Sequence, residues 1–334
     1  LAWRYVEGGI EEEFARYQPA PGTGKWSNQR ELEEAGPKDG PCQRFDRNAT
    51  SASLEFLEKY FVDGAYNRPG SHRPLLHKVS LVQPHYPFFG DEELFNHYLD
   101  RVPIYVQDPC DPPVLSLSQQ NEPVHASEQT IRRATASYYA MTETLDLHFE
   151  QILKRLEDLG QDLDEWIIVY TSDHGEMLGE HGIWEKTRFY EASVRVPLII
   201  RWPKAFEGGR TVDENVNLCD LFATLCDLAD LETPDNLDSR SMLPLLQGET
   251  TDWNNETVSQ MNASHLMIKQ DTLKYQYYGV GIPEVLFDLK NDPGETRNVA
   301  ELPRYSEAMT AFRRRLAALG HGQDGDPNYR NAGY

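Results

Sequence analysis

Trp166-Ile-Ile-Val-Tyr-Thr-Ser-Asp-His-Gly-Glu-Met-Leu-Gly-Glu-His-Gly-Ile-Trp-Glu-Lys186 opens on a β-branched and aromatic run, Trp166 to Thr171, and then turns polar at once. A run of that length and type reads as a strand buried on both faces. Asp173 and His174 come just past its carboxyl end, where ligands gather in an open α/β sheet. A carboxylate beside an imidazole, with a turn at Gly175, supplies adjacent oxygen and nitrogen ligands for one divalent cation. The plainer reading is a capping Asp next to a surface His. Lys186 follows two glycine turns, Gly179 and Gly182, so the loop doubles back over the strand end. An ammonium there either pairs with a ligand oxyanion, steadying charge that grows on a leaving oxygen, or stays solvated.

Moving outward, Lys78 to Gln83 is a short apolar run that stops at Pro84, a strand running into a loop. His85 sits in that loop with Pro84 and Pro87 around it, rigid framing that suits a catalytic or anion-binding group as well as a structural one. Leu54, Phe56, Leu57, Tyr60 and Phe61 mark a helix from Ala52. Ser127 caps a long helix whose apolar face recurs from Tyr138 to Leu159, closed by Gly160. Val194 to Trp202 is a second buried-type strand, and Val216 to Leu228 a further amphipathic helix. Strands alternating with helices predict an α/β fold with a largely parallel central sheet flanked by helices.

Past Glu256 the pattern changes to short strands, among them Leu273 to Tyr278 and Val285 to Leu289. The turn Asn291-Asp-Pro-Gly and a closing helix, Ser306 to Leu319, follow. This predicts a smaller carboxy-terminal subdomain of antiparallel sheet plus helix. The expected division is 1–51, excursion loops with one short helix; 52–255, the catalytic α/β domain; and 256–334, the carboxy-terminal subdomain and tail.

The chain has 334 residues, with 54 acidic against 32 basic side chains and a formal net charge of -22. Such a field repels nucleic acid and anionic membrane surfaces, so an anionic substrate needs a local cluster of cations or metal. No apolar run approaches the roughly 18 residues of a membrane span, no export signal is visible, and the compartment stays open. Cys42, Cys110, Cys219 and Cys226 form no C-x-x-C pair and no zinc-like spacing. The spacing of Cys219 and Cys226 suits core packing.

Pro84-His-x-Pro87, a long helix, Ser172-Asp-His-Gly-x-x-x-Gly-x-His-Gly-x-x-x-Lys186, then Arg195-Val-Pro-Leu-Ile-Ile with Trp202-Pro203 follow one another in an order that resembles type I sulfatases of the alkaline-phosphatase superfamily. Asp220-Leu-Phe-Ala-Thr, Leu243-Pro-Leu-Leu-Gln-Gly and Val285-Leu-Phe-Asp-Leu-Lys-Asn-Asp-Pro-Gly-Glu-Thr-Arg-Asn look like that family's later helix and carboxy-terminal subdomain, so the resemblance runs from about Ala52 to Leu319.

The resemblance implies that Asp173 and His174 ligate a divalent metal, calcium foremost, with magnesium or manganese as alternatives. It implies that His85 and Lys186 are catalytic, contacting the sulfate and the leaving-group oxygen, and that His181 binds substrate. The family's nucleophile is a formylglycine made from cysteine in Cys-x-Pro-Ser-Arg or Cys-x-Ala-Ser-Arg. No cysteine here stands in such a motif. The nucleophile, and an early pair of aspartates completing the metal site, are therefore expected on an amino-terminal companion segment.

The implied reaction is hydrolysis of a sulfate ester of a carbohydrate or small molecule. A phosphonate monoester or phosphodiester hydrolase of the same superfamily is the nearest alternative, since a tetrahedral anion held by metal, Lys and His does not identify its central atom. A non-catalytic scaffold is the other, although a scaffold gains nothing from a costly cluster of charge. Selectivity is expected in loops such as Pro21 to Gly40 and Phe89 to Pro123. The tail Gly320 to Tyr334, with Tyr329 and Tyr334, reads as a strap for a homo-oligomer or as a frayed end.

Overall fold

In a computed structural model of the chain, the residues described are 29–62, 75–105, 126–249, 252–261 and 265–322. Cys110, the tail tyrosines Tyr329 and Tyr334, and parts of both expected selectivity loops lie outside them. The described residues fall into two units, one drawn from 29–105, 126–166 and 178–184 and the other from 167–177 and 185–322.

The first unit is helical. In chain order it holds α1 (Gln29–Glu34), β1 (Gly36–Pro37), α2 (Pro41–Phe61), β2 (Phe89–Gly90), α3 (Glu92–Tyr98) and α4 (Glu128–Asp158). Helix α4 begins where the sequence places it, with Ser127 Oγ accepting from the Thr130 amide at 3.1 Å. Its apolar stripe buries Ile152 and Leu156 against Leu57 of α2, and Ala136 and Ala140 against Phe95 of α3. The two-residue parallel ladder of β1 and β2 lies against the same helix. Gly90 is required there, because a Cβ would sit 2.8 Å from that of Ala140.

Two expectations need correction in this unit. The helix expected from Ala52 starts at Pro41, where proline at the first helical position and Gln43, whose side chain accepts from the Gly40 amide at 3.1 Å, provide the start. The run Lys78 to Gln83 forms no ladder among the described residues. The amides of Val82 and Gln83 donate instead to the two oxygens of Asp46, at 2.7 and 2.9 Å.

The second unit contains β3 (Ile168–Thr171), β4 (Leu198–Arg201), α5 (Asp220–Leu228), α6 (Leu243–Gln247), β5 (Glu256–Met261), β6 (His265–Gln270), β7 (Leu273–Tyr277), β8 (Val285–Asp288) and α7 (Ser306–Ala318). Strands β3 and β4 pair antiparallel, Thr171 opposite Leu198 and Ile168 opposite Arg201. This pair departs from the expected parallel arrangement because the chain between them turns back at the same end of the ladder. Neither strand is buried on both faces. Residues 168–170 are half-buried and Ile199 is 59% exposed. Helix α5 starts at Asp220 rather than Val216, and Cys219, expected in the core, is exposed while Cys226 is buried.

The carboxy-terminal subdomain matches expectation: an antiparallel meander in the order β5-β6-β7-β8 with α7 packed on one face. Leu266, Ile268, Tyr275 and Leu286 meet Met309, Phe312 and Leu316, and the Tyr275 and Phe312 rings stack at 5.3 Å. Each such side chain contributes about 1.5–3 kcal/mol on burial. The alternate residues of β7, Lys274 and Gln276, are equally buried on the opposite face. Among the described residues, no helix is long and apolar enough to cross a membrane.

Candidate functional site

In the second unit, the Asp173–His174 turn is held from several sides. Thr171 Oγ1 donates to the Pro197 carbonyl at 2.9 Å, Ser172 Oγ to the His174 carbonyl at 2.8 Å, and the Gly175 amide to the Ser193 carbonyl at 2.8 Å. Gly175 can be nothing larger: a Cβ would lie 2.0 Å from the Ala192 carbonyl oxygen. His174 Nδ1 lies 2.8 Å from the Gly175 carbonyl, so Nδ1 donates and Nε2 carries the lone pair. That Nε2 is 3.7 Å from Asp173 Oδ2, and the two side chains are 38% and 86% exposed.

This donor set, one carboxylate oxygen and one imidazole nitrogen on a fixed turn, fits part of the coordination shell of a hard divalent cation. Among the described residues no group of three or more His, Cys, Asp or Glu side chains gathers into a metal cluster, so the pair supplies two ligands and not a complete site. Lys186, flanked by Glu185 and Thr187 at positive φ, lines the same groove as Asp173 and His174, a space of about 1310 Å³. The second unit therefore places three of the predicted residues in the lining of one groove. Arg188, which sequence reading passed over, lines it as well.

His85 and His181 belong to the first unit. His85 lies between two cis prolyl bonds, Gln83-Pro84 and Tyr86-Pro87, its Nδ1 2.7 Å from the Tyr86 carbonyl and its ring 4.2 Å from that of Tyr86. Helix α2 grips this turn with successive side chains. Cys42 Sγ donates to the His85 carbonyl at 3.3 Å, Gln43 donates to the Phe89 carbonyl, and Asp46 takes the Val82 and Gln83 amides. Burial pushes the Asp46 carboxyl up, and those two amides only partly offset it. His181 is buried in a tight turn, Glu180–Gly182, with left-handed φ of 55°.

None of the described cysteines suits a nucleophile. Burial drives the Cys42 thiol far above the ordinary range, and its proton is committed to the His85 carbonyl. Burial and the adjacent Asp220 raise Cys219 also, and Cys226 is buried.

A sulfatase family profile matches residues 16–231, and one for the carboxy-terminal part of N-sulphoglucosamine sulphohydrolase matches residues 179–321. A choline-sulfatase of Rhizobium meliloti (strain 1021) is 34% identical over 280 residues, covering 78% of this chain and 54% of its own length. An arylsulfatase K of Gallus gallus is 37% identical over 191 residues, 52% of this chain and 35% of the relative. The chain thus spans about half, or less, of the curated relatives it matches. The crystal structure of a phosphonate monoester hydrolase of Agrobacterium radiobacter superposes with a TM-score of 0.70 at 22% identity, over 93% of this chain and 68% of that one, and shares the fold. With a family profile spanning well over half of its residues, the chain belongs to the sulfatase family.

Proposed function

We propose that this chain is the metal- and sulfate-binding portion of a metal-dependent sulfuric ester hydrolase acting on a sulfate ester of a carbohydrate or small molecule. The observation that supports it most is the Asp173–His174 pair, open on a rigid turn, lining the same groove as Lys186. Asp173 and His174 Nε2 would hold the cation, foremost calcium, which when bound withdraws charge from the sulfate oxygens. Lys186 donates to a sulfate oxygen and offsets the charge that grows as the ester oxygen departs. His85, whose Nδ1 lies at the Tyr86 carbonyl, is the proposed proton donor to the leaving oxygen, through Nε2. His181 contacts the remainder of the substrate. The nucleophile is a formylglycine on an amino-terminal companion segment, consistent with the inert state of the described cysteines.

The test is Asp173→Ala. Losing one ligand should abolish turnover and calcium-dependent thermal stabilisation together. Unchanged calcium content by elemental analysis would remove Asp173 from the metal site. Parallel kinetics on an aryl sulfate and an aryl phosphodiester separates the sulfatase reading from the phosphonate and phosphodiester alternative.

A further inference from the structure

Helix α2 holds the turn that carries His85 at both of its ends. Residues Val82 to His85 close on themselves, the His85 amide donating to the Val82 carbonyl at 3.0 Å. At the start of this turn, the Val82 and Gln83 amides converge on the two oxygens of Asp46, at 2.7 and 2.9 Å. At its end, Cys42 Sγ donates to the His85 carbonyl at 3.3 Å. Cys42 and Asp46 lie one helical turn apart on the same face of α2. That helix is itself fixed by the packing of Leu57 on Ile152 and Leu156 of α4.

A carboxylate is a costly choice at this position. Asp46 is 0% exposed, and among the described residues no Lys or Arg pairs with it; the adjacent Arg47 is turned to Asp39, at 2.8 and 2.9 Å. His148 of α4 acts on it through space, but burial lowers that imidazole below its ordinary range, which leaves it neutral at pH 7. What Asp offers over Asn or Ser is a second oxygen that only accepts, so that two consecutive amides are held at once and the backbone entering the turn is fixed. From this we propose that Asp46 is a positioning residue for the reaction: through the Val82–His85 turn it holds the His85 imidazole where it can protonate the leaving oxygen. The proposal rests on the reading of His85 as that proton donor and extends it to a side chain wholly buried behind the site.

The test is the leaving-group dependence of turnover, in a preparation that contains the nucleophile-bearing segment. Each protein is assayed on 4-nitrophenyl sulfate, whose weakly basic phenolate departs with little help from a proton, and on phenyl sulfate, whose more basic phenolate needs one. His85→Ala is the reference and should lose far more kcat on phenyl sulfate than on the nitro compound. Asp46→Asn keeps the side-chain volume and one acceptor oxygen but leaves one amide without its partner. It should reproduce the selective loss at smaller size, about tenfold to a hundredfold in kcat on phenyl sulfate with KM little changed, the effect of a displacement of about 1 Å. In the His85→Ala background, Asp46→Asn should add no further selectivity. The ratio of the two rates on one protein cancels any loss of folded material, so a merely structural Asp46 predicts equal losses on both substrates. Equal losses, no loss, or a selective loss that persists in the His85→Ala background overturns the proposal and leaves His85 as the proton donor. If His85→Ala is itself unselective, the proton-donor reading falls and the positioning role falls with it.

Discussion

Asp173 and Gly175 show how closely the candidate metal turn depends on single residues. Gly175→Ala forces its Cβ into the Ala192 carbonyl, 2.0 Å away, so the turn must move and the Gly175–Ser193 hydrogen bond must stretch. The expected result is a loss of about 1–3 kcal/mol in chemical denaturation together with weakened calcium binding; a variant with native calcium affinity would show that the turn tolerates displacement. Lys186→Ala and His85→Ala remove charge-assisted contacts that strengthen as the ester bond breaks. Turnover should therefore fall by roughly two to three orders of magnitude in each. A rise in KM alone, with kcat intact, would assign the two residues to ordinary substrate binding. Asp173, His174, Lys186, His85 and His181 were all named from the sequence, because their chemistry is tied to local turns. Arg188 was not, because its burial is a property of the space around it.

At the scale of elements, the loop bearing Lys186 and Arg188 is tied to the carboxy-terminal meander by a buried ionic cluster. Lys274 of β7, 0% exposed, donates to the Phe189 carbonyl at 2.7 Å and pairs with Glu191 at 2.8 Å and Glu295 at 2.6 Å. Glu295 also accepts from the Glu191 amide at 2.6 Å, and Lys269 of β6 reaches Glu191 at 3.2 Å. Burial pushes Glu191 up, but Lys274 and Lys269 more than offset it and leave that carboxyl below its usual range. Burial dominates at Glu295 and leaves it raised. Lys274→Met strands two buried carboxylates and should cost about 3–5 kcal/mol at neutral pH.

In the parent, the depressed Glu191 contributes stability that is present above the unfolded carboxylate range and lost as pH falls through its lower folded value. Glu295 is raised in the parent already, and in the variant Glu191 loses Lys274, the larger of the two lysine influences that hold it down, while Lys269 stays, so the folded variant binds more protons than the folded parent. The variant's stability relative to the parent should then rise as pH falls from about 7 toward 4.5. Urea titrations of both proteins across that window are the check, and parallel pH slopes would refute the assignment.

For the whole molecule, the expected companion segment makes a direct prediction. Ile199 on β4 is 59% exposed and Phe222 on α5 is 52% exposed, apolar surface that a partner would cover. The polypeptide alone should show no sulfatase activity. An active preparation should contain the nucleophile-bearing segment, whether within a longer polypeptide or as a second one, which intact mass spectrometry followed by separation under denaturing conditions checks. A single monodisperse 38.3 kDa species that hydrolyses sulfate esters would refute both the companion and the external nucleophile.

Several features were determined by the sequence by itself. They include the start of α4 at Ser127, the meander with its closing helix, and the turn after β3 that carries Asp173 and His174. Each rests on interactions within a few residues, such as a cap, an alternation or a glycine, which one-dimensional text displays. Only the tertiary structure decided that β3 and β4 run antiparallel, that Val82 and Gln83 donate to Asp46 instead of to a ladder, and that Arg188 Nε and Nη2 have no acceptor among the described residues. Glu191 meets Glu295 across 104 positions, and Lys274 meets Phe189 across 85. Such contacts depend on how distant segments are folded back on one another, and no local periodicity records that.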